Sequence, residues 1–553
     1  MNLLNRFLEK TEFESYDDFI KNYKVKIPDN FNFGYDVVDV YANETPDKLA
    51  LVWTDETEET KKYTFGDMKK LSDKAANAFR SMGVKKGDKV ILILKQRPEA
   101  WICFTALCKL GAVFIPATFQ LTPKDIIYRC NAAGARFICS VDEKEITESI
   151  LNAIPSCDEK VEVAFVGNNI PEGCTDFCAL CEKSDDKLER VETENSDMMM
   201  LYFSSGTTGM PKMVAHNYTY PLGHITTAKY WQHVCDDGIH LTVSDSGWAK
   251  FAWGKIFGQW IAGTAVVAYD EAGKFNPHNL LKAMERLKLT TFCAPPTIYR
   301  FLIREDMSGY DFSSLTHCCT AGEPLNPEVV KLFREQTGHT IYEGFGQTET
   351  SVILANFGWD PIKPGSTGKP APIYDIDIVD ENGVRCEDGI VGSIVVKNAS
   401  SEHPVGLFGG YFSDEAATSR AWHDGVYNTG DVAWRDADGY FWFEGRNDDV
   451  IKCSGYRIGP FEVESALLTH PSVLECAVTA APDPIRGQVV KATIVLNKGF
   501  TGSDELKKEL QNHVKVTTAP YKYPRIVEFV TELPKTTSGK IKRAEIRKND
   551  SEQ

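Results

Sequence analysis

Between residues 89 and 141 the chain alternates short apolar runs with amphipathic stretches, and this alternation limits the fold more than any other feature. Val90-Ile-Leu-Ile-Leu94 is a continuous apolar run of strand length. Residues 98–111 carry helical spacing, with Pro98 in the first turn. A second strand follows at 113–117. The next helix opens at Thr122-Pro-Lys-Asp125, with Thr as cap and Asp in the first turn, and a third strand covers 136–141. The rhythm returns at 264–269, 277–287, 290–294 and 297–303. Strands apolar on both faces and separated by helices require parallel sheets with right-handed crossovers. Two such blocks predict two doubly wound sheets.

The texture changes after Gly365. Short alternating strands at 374–379 and 393–397 sit between Gly, Asp and Asn turns, which predicts a small β-barrel-like unit. Beyond Arg446 the elements become mixed: helical at 459–468 and 503–513, extended at 477–480, 489–496 and 525–529. The expected organisation is an α/β protein with a large N-terminal domain (1–447) and a smaller α+β domain (448–553).

A chain of 553 residues buries enough surface to need no covalent staples. Its 15 cysteines are an odd number, and the first residues contain neither an apolar core nor a small-residue cleavage site. Reduced thiols and a cytoplasmic location are the expectation. The most apolar stretches, 101–117 and 256–269, fall short of a clean spanning segment. The net charge of −17 argues against non-specific nucleic-acid binding and against stable membrane association. Cys174, Cys178 and Cys181 have the C-x3-C-x2-C spacing of an iron–sulfur ligand set, but they stand in a polar connecting stretch, where chance clustering is the simpler account.

The richest chemical signal lies at Leu201-Tyr-Phe-Ser-Ser-Gly-Thr-Thr-Gly-Met-Pro-Lys212. An apolar strand runs into a turn with two glycines, four hydroxyl side chains and a lysine. Backbone N–H groups freed by glycine, hydroxyl donors and a mobile ammonium together make a phosphate cradle. It is not the G-x4-G-K-[ST] nucleotide loop, because Lys212 is displaced from Gly209 and no Ser or Thr follows it.

Ser204-Ser-Gly-Thr-Thr-Gly-x-Pro-Lys212 resembles the signature of the acyl-adenylate-forming superfamily, which contains acyl-CoA synthetases, luciferases and peptide-synthetase adenylation domains. Further stretches match in the family's order: Ala321-Gly-Glu-Pro-Leu325, Gly344-Phe-Gly-Gln-Thr-Glu-Thr350, Asn428-Thr-Gly-Asp431, Gly445-Arg-Asn-Asp448 through Arg457, and Leu533 to Lys540. Within the family, Ser244 to Lys250 and Arg486 to Ala492 resemble medium-chain acyl-CoA synthetases and their acetyl-CoA synthetase relatives.

The resemblance implies ATP, Mg2+ and CoA as reactants and cofactor, and it implies a role for each matching residue. Ser204, Ser205, Gly206, Thr207, Thr208, Gly209 and Lys212 hold the β- and γ-phosphates. Thr348 contacts the α-phosphate, and Glu349 is the magnesium-linked carboxylate. Phe345 stacks on the adenine, Gly322, Glu323 and Pro324 line its slot, and Glu343, Gly344, Gly346 and Gln347 belong to the same ATP/AMP-binding set. Asp431 and Arg446 take the ribose. Lys540 is the catalytic lysine of adenylation, Asp448 the hinge, and Lys452 the lysine that faces the adenylate in a second state. Gly455, Tyr456 and Arg457 lie on the CoA path. Trp248, Lys250, Phe251, Trp253, Gly254 and Gly346 form the acyl pocket.

Acetate-specific relatives carry Trp where this chain has Gly346. The opened volume, partly refilled by Trp253, implies a short- to medium-chain acid, straight or branched. An aromatic-acid ligase and an adenylation unit loading a carrier protein in trans are the alternatives. The assembly expected is a monomer or homodimer.

Overall fold

The computed structural model describes residues 2–204, 210–401, 403–453, 456–483, 486–535 and 540–551; for Tyr456, Arg457, Asn549, Asp550 and Ser551 only the backbone path is described. The first block of alternating elements forms a seven-stranded sheet in the order Thr175–Asp176, Glu162–Val166, Phe137–Val141, Lys89–Ile93, Val113–Pro116, Met198–Ser204, Lys212–Asn217. Its pairs are parallel except the last, an antiparallel pair that brackets the glycine-rich turn. The crossover helices carry the expected signals. Pro98–Leu110 has Pro at its start and ends on Gly111 at φ +72°. Pro123–Ala133 is closed by a reciprocal Thr122/Asp125 capping box.

The second block forms a nine-stranded sheet whose centre, from Ile341–Phe345 through Ala265–Asp270, is parallel. It is not built from its own block alone. The hairpin Leu49–Asp55/Thr60–Thr64, from before the first block, completes one edge, with Leu49–Asp55 parallel to Ala265–Asp270. The small β unit is a five-stranded antiparallel sheet in which Val426–Arg435 pairs with Gly392–Val396 on one side and Phe441–Arg446 on the other.

The C-terminal residues form a third kind of layer. Val473–Asp483 and Gly487–Leu496 make a long antiparallel pair, extended by Ile526–Val530, and Pro460–Leu468 and Asp504–Thr517 pack on it. The buried apolar clusters of residues 451–546 share no member with those of residues 3–441. The two parts meet where Asn326 Nδ2 donates to the Ser465 carbonyl at 3.2 Å.

All fifteen cysteines are free thiols; ten are buried and only Cys235 is exposed. Cys178 and Cys181, on the helix Phe177–Lys183, pack against a different apolar cluster from Cys174. Among the described residues no helix is long and apolar enough to cross a membrane.

Candidate active site

The motif residues converge at the ends of the two parallel sheets and on the rim of the antiparallel one. Ser204 and Lys212 face each other across the antiparallel pair that closes the phosphate turn. Ser205, Gly206, Thr207, Thr208 and Gly209 lie outside the described residues. Just before Lys212, Tyr128 Oη donates to the Pro211 carbonyl at 2.9 Å.

From Lys212 a short chain of contacts leads to Glu349. The Lys212 ammonium lies 4.6 Å from the centre of the Tyr411 ring, and Tyr411 Oη donates to Glu349 Oε1 at 2.9 Å. Burial and the neighbouring carboxylate push the Tyr411 hydroxyl far up, so it remains a donor across the working range. Thr348 is fixed from the other side. Burial pushes His216 down to about 3, so its ring is neutral, and Nε2–H donates to the Thr348 carbonyl at 2.7 Å.

The two residues expected at the ribose form a cross-strand pair. Asp431 on Val426–Arg435 stands opposite Arg446 on Phe441–Arg446. Asp431 is 5% exposed. Burial raises its carboxyl to about 6, against the opposing pull of Arg446, the Gln347 amide and Lys540. Gln347 Nε2 donates to both the Asp431 carboxylate and the Thr429 carbonyl, and Tyr427 Oη donates to Gln347 Oε1 at 2.6 Å. Gln347 therefore orients Asp431. Arg446 Nε reaches Asp448 Oδ1 at 3.4 Å, so the ribose arginine touches the expected hinge directly.

Residues 321–325 lie in the loop between the strand His317–Thr320 and the helix Pro327–Thr337. Gly322 holds φ +104°, which glycine tolerates and other residues rarely adopt. Glu343 is buried beneath this loop and its Oε2 accepts from the Leu325 N–H at 3.3 Å. Burial lifts Glu343 to about 8, so the group is neutral at pH 7 and shapes the loop without contributing a charge. Glu323 pairs with Arg300 at 3.5 Å. Phe345 packs at 5.7 Å from Phe443, and Gly344 leaves the room that the Trp231 indole occupies.

The acyl residues separate into two groups. A Cβ on Gly346 would fall 2.3 Å from Trp253 Cη2, so the Trp253 indole fills the space that a side chain at Gly346 would take. Lys250 is half-buried, donates to the Ala321 carbonyl and lies against Gly322. Burial lowers its ammonium, and the charge of Lys540 lowers it further. Trp248 caps the helix Ala249–Gly254 and is partly exposed. Phe251, by contrast, packs against Trp101 and Phe104, and Gly254 presses on Thr242 of the neighbouring strand.

Lys540 is exposed, and its charge reaches Asp431 and Lys250 from the C-terminal layer. Lys452 is exposed and stands opposite Arg457 across an antiparallel pair, with its own N–H held by Gln488 Oε1 at 2.8 Å. Gly455 and the side chains of Tyr456 and Arg457 lie outside the described residues.

Sequence reasoning passed over Tyr411, Tyr427 and His216. Tyr411 and Tyr427 belong to no matched stretch, and each acts by touching a motif residue rather than through a spacing of its own.

The model of the AMP-binding enzyme family matches residues 38–412, and that of the AMP-binding enzyme C-terminal domain matches residues 462–540. The chain belongs to the AMP-binding enzyme family. It is 43% identical to the mitochondrial acyl-coenzyme A synthetase ACSM3 of Mus musculus over 97% of this chain and 94% of the relative. It is 41% identical to the mitochondrial acyl-coenzyme A synthetase ACSM5 of Homo sapiens over 95% and 91%. Among solved structures, an anthranilate CoA ligase, AuaEII, in complex with anthranoyl-AMP superposes with a TM-score of 0.85 at 30% identity, covering 95% of this chain and 98% of that one. An acyl-CoA synthetase of Brucella canis gives 0.74 at 31% identity, covering 98% and 99%.

These relatives correct the expectation of a cytoplasmic location, because the curated acyl-coenzyme A synthetases are mitochondrial. That expectation rested on free thiols and on the absence of a secretory signal. Neither feature distinguishes one reducing compartment from another.

Proposed function

We propose that this chain couples a short- to medium-chain aliphatic acid, straight or branched, to CoA at the expense of ATP. The chain is an ATP-dependent acyl-CoA synthetase. In the first step a carboxylate oxygen attacks the α-phosphorus of ATP, pyrophosphate leaves and acyl-AMP forms. In the second step the CoA thiol attacks the acyl carbon, AMP leaves and acyl-CoA forms.

The observation that carries this reading is the cross-strand pairing of the buried Asp431 with Arg446, with the positive charge of Lys540 on the other lobe acting on the same carboxylate. Both reactants of the first step are anions, so positive charge at their junction is what that step requires. Lys540 would bridge the substrate carboxylate and the phosphate oxygens. Ser204 and Lys212 would hold the leaving pyrophosphate, and Thr348 the α-phosphate. Glu349 offers the hard oxygen that Mg2+ takes, and one carboxylate plus substrate phosphates is a usual set for that ion. Mg2+, held there, would neutralise phosphate charge.

A rotation about Asp448, between domains 1–447 and 448–553, would withdraw Lys540 and bring Lys452, Gly455 and Arg457 to the second step. Trp253 against Gly346 supports an aliphatic pocket with a raised floor. The pyrophosphate-release test is a screen of C2 to C10 straight, branched and aromatic acids with CoA. Aliphatic acids should dominate, and failure to form AMP with any acid would reject the reading.

A further inference from the structure

The segment that carries Lys540 is anchored at both ends. On its N-terminal side Lys535 reaches both oxygens of Glu475 at 2.8 Å and bridges to Ile541, while the Lys542 N–H donates to the Pro534 carbonyl at 2.9 Å. On its C-terminal side Arg543 opens the helix Arg543–Ser551, three residues past Lys540. Arg543 Nη2 donates to both oxygens of Glu464, at 2.7 and 2.8 Å. Glu464 is buried on the helix Pro460–Leu468 and also accepts from the Val478 N–H at 2.7 Å, so it joins helix, sheet and Lys540 segment.

One carboxylate ties this anchor to the expected hinge. Asp449 follows Asp448 directly. Its Oδ1 accepts from Arg547 Nη1 at 2.5 Å, and its Oδ2 lies 3.9 Å from Arg543 Nη1. The N–H groups of Asp449 and Val450 both donate to the Arg446 carbonyl, at 3.0 and 3.1 Å. A continuous run of contacts therefore leads from the ribose residue Arg446, through Asp449, to the root of Lys540.

We propose that Arg543, gripped by Glu464 and shared with Asp449, is a positioning residue for Lys540: it fixes the ammonium-bearing segment to the hinge-side carboxylate, so that Lys540 enters and leaves the site with the whole lobe and not by local loop motion. This rests on the assignment of Lys540 to adenylation. A lysine side chain is long and flexible, and the reach of its ammonium is set by where its backbone is held. An arginine can span two carboxylates with fixed geometry, which a lysine in its place cannot do. Arg543 and its partners all belong to the C-terminal lobe, so the contact to Glu464 travels with that lobe in any rotation.

Deleting the guanidinium outright would leave Glu464 buried and unpaired and could unfold the lobe, so the test uses Arg543→Lys, with Asp449→Asn as a second variant. Single-turnover acyl-AMP formation and thioester formation from preformed acyl-AMP are measured separately, each with and without Lys540→Ala. Arg543→Lys should slow adenylation by about 10- to 100-fold, the scale of a ~1 Å misplacement of a reacting group. The KM for ATP and the thioester half-reaction should stay within about twofold, and on top of Lys540→Ala the substitution should add less than about twofold. Asp449→Asn should follow the same pattern more weakly. Equal loss in both half-reactions, a full further loss on top of Lys540→Ala, or no loss from Arg543→Lys would each overturn the proposal. Normal adenylation by Lys540→Ala alone would instead overturn the assignment of Lys540, and this inference would fall with it.

Discussion

Asp431 and Lys540 are proposed to act on the same nucleotide, yet their surroundings are opposite. Asp431 sits in a buried network in which Tyr427 holds Gln347, Gln347 donates to the Asp431 carboxylate and Arg446 stands opposite on the next strand, and burial brings its carboxyl to about 6. Lys540 is exposed on a segment that is anchored at its two ends. The first arrangement preorganises a binding site, with the polar partners assembled at folding. The second leaves an ammonium exposed, so that no buried charge has to be maintained. A two-step reaction needs both: one surface that holds the adenylate throughout and one group that is present for half of the cycle.

The strongest way to break this contrast is Lys540→Ala. Adenylation should fall by about 10²- to 10³-fold, the cost of removing one donor aimed at developing charge, while thioester formation from preformed acyl-AMP is largely retained. Loss of both half-reactions together would place Lys540 with the static site. Asp431→Asn keeps the shape but removes the charge. The kcat/KM for ATP should fall by about 10- to 100-fold, as for a charged hydrogen-bonding group, and both half-reactions should suffer when measured with limiting nucleotide or adenylate.

Trp253→Gly examines the acyl side of the fixed lobe. An acid about two methylenes longer should gain about 10-fold or more in kcat/KM relative to the wild-type preference, because each methylene is worth about 1–3 kcal/mol. An unchanged chain-length profile would remove Trp253 from the pocket.

The smallest expected effect is a pH profile. Below about 6, Asp431 takes up a proton and loses its charge as a ribose acceptor, so the KM for ATP should rise as pH falls through that value. Above about 8, Glu343 ionises under the loop that contains Gly322 to Leu325, and a buried unpaired charge there should raise the KM for ATP again. Glu343→Gln should abolish the alkaline limb and leave the acid limb in place; a profile unaltered by this substitution would separate Glu343 from nucleotide binding.

Much of the architecture was written locally. The Thr122/Asp125 box, Pro98 and Gly111 each mark a helix end within a few residues of sequence, and the apolar runs mark strands buried on both faces. The edge hairpin Leu49–Asp55/Thr60–Thr64 was not legible, because its partner strand Ala265–Asp270 lies some two hundred residues away and nothing in either segment names the other. The site divides in the same way. Asp431 and Arg446 stand in dense motifs, and their pairing across two strands follows from the fold. Tyr411, His216 and Tyr427 are supports, and a support is defined by what it touches in three dimensions. Phe251 and Gly254, expected in the acyl pocket, lie against Trp101, Phe104 and Thr242, neighbours that no spacing in the sequence names.

The thiol inventory gives the molecule a built-in reporter. Of fifteen reduced cysteines the native fold exposes one, so a thiol reagent should react fastest at Cys235, more slowly at the half-buried Cys157, Cys174, Cys178 and Cys181, and meet the ten buried sulfurs only when the chain opens. A dye at that position would mark the large lobe without entering the nucleotide pocket. With a second label on the smaller lobe, it would turn the alternation between the two chemical steps into a measurable change of distance.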